Sequence, residues 1–287
     1  MINGFTIDLE DWFCSHNLLG AIRYEDWDKL PGRVVEPTMR ILELLSKAQC
    51  KATFFVLGWI ADRYPELIKM IAAEGHEIAS HGYSHRLVTN MNSASFKADL
   101  QKSVAAIHHA CGIQPKGFRA PAFTVVKSTL WALDELVEQG FLYDSSIYPT
   151  GVHPDYGIGD APLNIFNPLK ELIEIPLSCA SVFGRNIPCS GGAYLRFLPY
   201  PVYKKLVDKV ISSGRSYIFY IHPWEIDAEM PRVKLSGLKH IRHYTNLSST
   251  FSKMERLLRD FEFTSLENVL SKHHSMVLKN GPGKQHG

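Results

Sequence analysis

A chain of 287 residues with 45% hydrophobic side chains can build one large core, and 21% charged residues leave it a solvated surface. Its formal net charge of +2 excludes the concentrated basic excess of a polyanion-binding protein, so no nucleic-acid partner is expected. Five widely spaced cysteines (Cys14, Cys50, Cys111, Cys179, Cys189), with no C-x-x-C, read as reduced thiols rather than a disulfide framework or a zinc ribbon. No apolar stretch approaches the roughly 20 residues that span a bilayer. The run from Met1 into Phe5-Thr6-Ile7 lacks the layout of a secretory signal. The expectation is a cytoplasmic chain without stable membrane insertion.

Strand-like and helix-like segments alternate, the pattern of parallel βαβ construction. Residues 4–8 read as a first strand ending in acids, and 34–48 place Val35, Met39, Leu42 and Leu45 at helical spacing. The apolar run 51–57 suits a strand covered on both faces. Residues 65–75 form a helix opened by Pro65 and closed by Gly75, followed by a strand at 76–79 that delivers His81. The alternation continues with helices at 93–110 and 126–139 and strands at 117–119 and 142–144. Further strands are expected at 172–177, 217–221 and 261–264, with helices at 200–212 and 248–260. Residues 149–170, rich in Pro, Gly and Asn and including His153 and Tyr156, read as a functional loop that helps define specificity. No linker divides the chain. One domain over 1–275 is expected, its segment 228–275 completing the fold, with a disordered tail at 276–287.

The acids, histidines and arginine that stand out all follow strands, and in a parallel barrel those strand ends share one face. His81 and His85, an i, i+4 pair in Ser80-His81-Gly82-Tyr83-Ser84-His85, can from one turn aim two imidazoles at one metal ion. Asp8-Leu9-Glu10-Asp11 supplies carboxylates for metal ligation or proton transfer. Two histidines and one carboxylate leave a divalent ion with open positions, as in a metal hydrolase. Arg119, in Phe118-Arg119-Ala120-Pro121-Ala122-Phe123, has the fork that orients a catalytic carboxylate, and the amides after Pro121 suit an oxyanion. An Asp144–His222 pair would set the imidazole tautomer and make His222 a general acid. Trp12 and Trp224 adjoin these groups and suit an apolar wall against a sugar face. Ser190-Gly191-Gly192-Ala193-Tyr194 reads as a tight turn. Without a Gly-x-Ser-x-Gly elbow or a Cys/His dyad, nucleophilic catalysis is not expected.

In this order the segments resemble the NodB-type polysaccharide deacetylases of carbohydrate esterase family 4. The matching motifs are Thr6-Ile7-Asp8-Leu9-Glu10-Asp11, Ser80 to His85, Phe118-Arg119-Ala120-Pro121, Leu142-Tyr143-Asp144-Ser145 and Tyr220-Ile221-His222-Pro223. The resemblance spans about residues 4–227. Asp11-Trp12, Gly191-Gly192-Ala193-Tyr194 and Arg242-His243-Tyr244 resemble an exopolysaccharide- and exosortase-associated branch.

The resemblance implies a distorted (β/α) barrel of about seven parallel strands and one divalent ion, zinc first, with cobalt, nickel or manganese as alternatives. It implies Asp8 as base, His81 and His85 as ligands, Arg119 orienting Asp8, and Asp144 supporting the acid His222. The third ligand is Glu10 or Asp11: strand parity favours Glu10, an early strand end Asp11. Trp12, Pro121, Ala122, Phe123, His153 and Trp224 fall to substrate binding. The implied activity is metal-dependent N-deacetylation of an N-acetylated sugar in a bacterial polysaccharide or its precursor. The alternatives are an amidohydrolase of cyclic imides or allantoin-like molecules and a non-catalytic glycan-binding protein.

Overall fold

A computed structural model describes residues 2–151, 156–235 and 237–279, with side chains to 275. The strands are β1 (Asn3–Leu9), β2 (Thr53–Val56), β3 (Glu77–Ser80), β4 (Gly117–Phe118), β5 (Tyr143–Asp144), β6 (Phe166–Leu169), β7 (Leu172–Glu174), β8 (Cys179–Val182), β9 (Arg185–Pro188), β10 (Ile218–Ile221) and β11 (Phe263–Thr264). The helices are α1 (Val35–Lys47), α2 (Gly58–Arg63), α3 (Pro65–Ala73), α4 (Ser93–Cys111), α5 (Trp131–Glu138), α6 (Gly192–Phe197), α7 (Tyr200–Ser212), α8 (Gly237–Tyr244), α9 (Leu247–Asp260) and α10 (Leu266–Lys279).

One sheet runs β10-β1-β2-β3-β4-β5-β7-β6, with β11 added beside the start of β1. Every neighbouring pair from β10 to β7 is parallel, and only β6 returns antiparallel. That is the mostly parallel, curled half-barrel the motif order implied. β1 and β2 are buried along their whole length, which explains why their sequences read as apolar runs rather than as an alternation.

Local chemistry sets the helix ends. Asn92 accepts from the amide of Ser95, whose hydroxyl accepts from the Asn92 amide, so α4 begins with a reciprocal cap. It ends on Gly112 in the left-handed conformation. Short elements escaped the sequence reading: α2, α6, α8 and the β8–β9 hairpin carry too few turns or alternations for a periodic signal. Residues 166–169, read as irregular, are an edge strand. The tail expected from 276 is helical in α10 as far as Lys279, and residues 280–287 lie outside the described residues. Ser190 to Tyr194 is not a lone turn: α6 starts at Gly192, where a Cβ would strike the Glu225 carboxylate.

Candidate active site

The strand ends converge on a cavity of about 290 Å³ lined by Asp8, Glu10, His81, His85, His222 and Trp224 among others. Glu10 follows β1 and is buried; its Oε1 lies 3.1 Å from His81 Nε2 and 2.9 Å from His85 Nε2. Burial pushes the Glu10 carboxyl up, but His85, His222 and His81 outweigh it and hold the group well below its ordinary value of 4.5.

The two histidines do not sit on a helical turn. They occupy a loop after β3 in which Gly82 (φ +73°) and His85 (φ +53°) are left-handed. Asp99 of α4 pins that loop by accepting from the Tyr83 amide at 2.7 Å and the Ser84 hydroxyl at 2.8 Å.

The donor set fits a cation. His81 Nδ1 donates to the Arg119 carbonyl at 2.8 Å, so a neutral His81 turns the lone pair of Nε2 towards the Glu10 carboxylate. Two acceptors at 3.1 Å repel unless a proton or a metal ion lies between them. Among the described residues His85 Nδ1 has no hydrogen-bond partner, while its Nε2 faces the same oxygen. One carboxylate and two imidazoles meeting at one point suit zinc or another borderline divalent ion.

Asp11 does not join them. Its carboxylate accepts from the amides of Trp12, Arg33 and Val34 at 2.8, 2.8 and 3.1 Å, and fastens the loop before α1 to the end of β1. Burial dominates its titration and raises it to about 6 against those donors. Of the two acids, Glu10 is the one whose carboxylate stands with His81 and His85.

Asp8, two residues before Glu10, lines the same cavity. Arg119, fully buried, donates to Asp8 Oδ1 and Thr6 Oγ1, both at 2.7 Å. Its remaining donors reach the Ser145 carbonyl and hydroxyl at 3.0 Å, and the guanidinium lies 4.0 Å from the Phe55 ring centre. Every edge of the fork is engaged, so Asp8 faces the cavity in a fixed orientation.

His222, at the end of β10, points Nε2 towards Glu10 Oε1 (3.6 Å) and Asp8 Oδ2 (3.8 Å). Its partner is not Asp144. Nδ1 lies 3.0 Å from Glu225 Oε2, which also accepts the His222 amide at 3.2 Å. A carboxylate only accepts, so Nδ1 carries the proton. Burial lowers the His222 titration, yet Glu10, Glu225 and Asp8 more than offset it and raise it to about 9. Glu225 is in turn gripped by Arg196 Nε at 3.0 Å, and Arg196 donates to the carbonyls of Arg242 (2.8 Å) and Thr245 (2.7 Å). Neither Glu225 nor Arg196 stood out in the sequence. The readable signal was Glu225 three residues after His222, the spacing of a one-turn cap.

Asp144 stands at the end of β5, as expected, but its contacts are elsewhere than His222. It bonds the Ser146 hydroxyl at 2.5 Å and stands opposite Glu174 across the β5–β7 ladder. The substrate-wall expectations divide similarly. Trp224 lines the cavity, stacked on His222 at 5.1 Å, and Ala122 and Phe123 line it through a left-handed turn. Trp12 does not: its indole donates to the Pro31 carbonyl and its ring packs on Phe13 in the core. Pro121 is buried behind the turn, outside the cavity lining. His153 lies outside the described residues, but Tyr156 from the same loop reaches the cavity, stacked on Tyr148.

Comparison with known proteins gives two matched stretches. Residues 24–138 match the polysaccharide deacetylase family, and residues 145–271 match a domain of unknown function, DUF3473. The likeness to polysaccharide deacetylases thus covers residues 24–138, about two fifths of the chain. It is 34% identical over 116 residues to a peptidoglycan-N-acetylglucosamine deacetylase of Bacillus cereus, covering 40% of each chain. Against a chitooligosaccharide deacetylase of Rhizobium leguminosarum it is 36% identical over 74 residues, 26% of this chain and 34% of that one. The chain thus spans about two fifths or less of these relatives.

Two solved structures share the fold. A polysaccharide deacetylase from Mycobacterium smegmatis superposes with a TM-score of 0.60 at 20% identity, covering 96% of this chain and 91% of that one. Puue allantoinase superposes with 0.55 at 17% identity, covering 92% and 86%. β1, which bears Asp8 and leads into Glu10, precedes both matched stretches. The site is assembled from it, from the first stretch (His81, His85, Arg119) and from the second (His222, Glu225, Arg196).

Proposed function

We propose that this chain hydrolyses the acetamide of an N-acetylated sugar in a bacterial polysaccharide or its precursor, releasing acetate and leaving a free amine. The observation that carries the reading is one cavity holding three kinds of group. They are the Glu10/His81/His85 donor set, Asp8 on Arg119, and His222 on Glu225.

A divalent ion held by Glu10, His81 and His85 would polarise the acetamide carbonyl and acidify a water, towards a pKa of about 7 in zinc hydrolases. Asp8, oriented by Arg119, takes the proton of the attacking water. The left-handed turn at Ala122 bounds the cavity where the carbonyl oxygen becomes negative. His222 carries its second proton on Nε2, facing the same point, and delivers it to the departing amine as the C–N bond breaks. Water and amide become carboxylate and ammonium, so the atoms balance. Trp224 and Phe123 offer flat apolar faces beside these groups, as a sugar ring requires.

The names of the relatives favour a glycan over a cyclic imide. The test is acetate release from a chitooligosaccharide and from a peptidoglycan fragment by zinc-loaded protein, run beside ring opening of allantoin. Acetate from either glycan supports the reading. Ring opening alone would transfer the site to the amidohydrolase class, and silence in both with a bound ion would favour glycan binding without turnover.

A further inference from the structure

The segment between Glu229 and Glu255 contains no acidic residue and, besides Lys253, whose ammonium donates to the carbonyls of Leu195, Arg196 and Leu198, holds four cations, Arg232, Lys234, Lys239 and Arg242. For a chain of net charge +2 this is a local concentration, and α8 lies at its centre. The helix is amphipathic in an unusual sense. Its His243 and Tyr244 are buried, whereas Leu238 is 70% and Ile241 48% exposed, beside exposed Lys239 and His240. Leu238, Ile241 and Arg242 stand at i, i+3 and i+4 and share one helix face. That face borders the cavity, because Arg242 and the 40% exposed Phe197 both line it. The helix also packs on the short turn His16–Leu18, which is followed by Leu19 at 42% exposure.

Apolar side chains alternating with cations around an opening have a specific physical use. A polyanion would be held by the cations alone, and Leu238 and Ile241 would then face water for no gain. A bilayer with anionic headgroups satisfies both sets: the apolar side chains enter the headgroup–acyl boundary while the Lys and Arg stems reach the phosphates. Each cation near such a surface contributes on the order of fivefold in affinity. Shallow docking also needs no membrane-crossing helix, and among the described residues none qualifies. We infer that α8 and its flanks form a peripheral docking surface for an anionic membrane, which holds the mouth of the cavity against the headgroup layer. The surface is tied to the site, since Arg196 bonds the carbonyls at the end of α8 while gripping Glu225. The inference does not depend on the proposed hydrolysis, because membrane binding is read without turnover.

The experiment is co-sedimentation of the full chain with vesicles of phosphatidylglycerol mixed with phosphatidylcholine, and with phosphatidylcholine alone. Three proteins are compared: wild type, a Leu238→Gln/Ile241→Gln variant and a Lys234→Gln/Lys239→Gln variant, each checked for an unchanged melting temperature. The expected result is binding of wild type to the anionic vesicles only, weakened about tenfold or more in both variants. No binding by wild type overturns the inference. So does binding that the Leu238/Ile241 variant retains in full, because that marks charge attraction of the kind any polyanion would show.

Discussion

Two pairs of acids sit at the same height in the sheet and behave in opposite ways. Asp8 and Glu10 end β1, Asp144 and Glu174 end β5 and β7, and all four are essentially buried. Around the first pair stand Arg119, His81, His85 and His222, so Glu10 is held well below the usual carboxylate range. The second pair has mainly hydroxyl and amide neighbours and each other. Among the described residues Asp144 Oδ2 and Glu174 Oε2 lack any other partner, and burial together with Asp144 drives Glu174 well above 4.5. Two facing carboxyls in that setting share one proton. Burial and position at a strand end therefore do not make an acid reactive. Cations within reach and an opening to the cavity do.

The sharpest way to break the contrast is to empty the first cluster. In a folded His81→Ala/His85→Ala variant we expect the divalent ion to be lost, with affinity down by more than about hundredfold, read by metal analysis against zinc-loaded wild type. Equal metal in both proteins would remove Glu10, His81 and His85 as a ligand set. Next comes the paired exchange of Asp8→Asn and Asp144→Asn. The first should retain its ion and lose hydrolysis by about 10²- to 10⁴-fold. The second, which keeps a hydrogen-bonding group between Ser146 and Glu174, should stay within a few-fold of wild type. Similar losses in both would show that the two pairs are not chemically distinct.

A smaller effect is expected at Glu225. Glu225→Gln keeps the shape against Arg196 and His222 but removes the charge that both groups face. We expect kcat to fall by roughly ten- to hundredfold, with KM and ion content nearly unchanged. A matching loss in Asp144→Asn but not in Glu225→Gln would restore Asp144 as the partner of His222.

What the sequence reveals of the fold and the site follows the same division. The parallel sheet and the Asp8, His81, His85, Arg119 and His222 positions were legible because each stands at or after the end of an apolar strand, and strand ends of parallel sheets share a face. Orientation was not legible. Asp144 and His222 both end strands, but four strands of the sheet order, β1 to β4, stand between β10 and β5, and only coordinates reveal which carboxylate meets the imidazole. Arg196 was invisible for a related reason: its partners are Glu225 and backbone carbonyls beyond residue 240, and carbonyls leave no mark in a sequence. Trp12 misled because an aromatic beside acids suits a sugar wall, whereas here Asp11 caps the turn and folds the ring inward. The i, i+4 spacing of His81 and His85 suggested one turn, whereas a left-handed loop brings the two rings to Glu10.

The finest test concerns the proton shared by Asp144 and Glu174. The folded chain raises Glu174 above 4.5, so from that pH upwards it binds more protons than the unfolded chain. Stability contributed by this group is fully present below 4.5 and is lost as pH rises towards the folded value, because the slope of unfolding free energy with pH is negative wherever the native state holds the extra proton. Glu174→Gln makes that proton permanent: the amide nitrogen donates to Asp144 Oδ2 while the oxygen still accepts from the Ile147 amide, a bond of 3.0 Å in wild type. The melting temperature of the variant should therefore gain on wild type as pH is raised, by a few degrees at most, while both keep the same ion content. Parallel melting curves across that range would mean the pair carries no extra proton, and the acids at β5 and β7 would then have to be held apart by some other means.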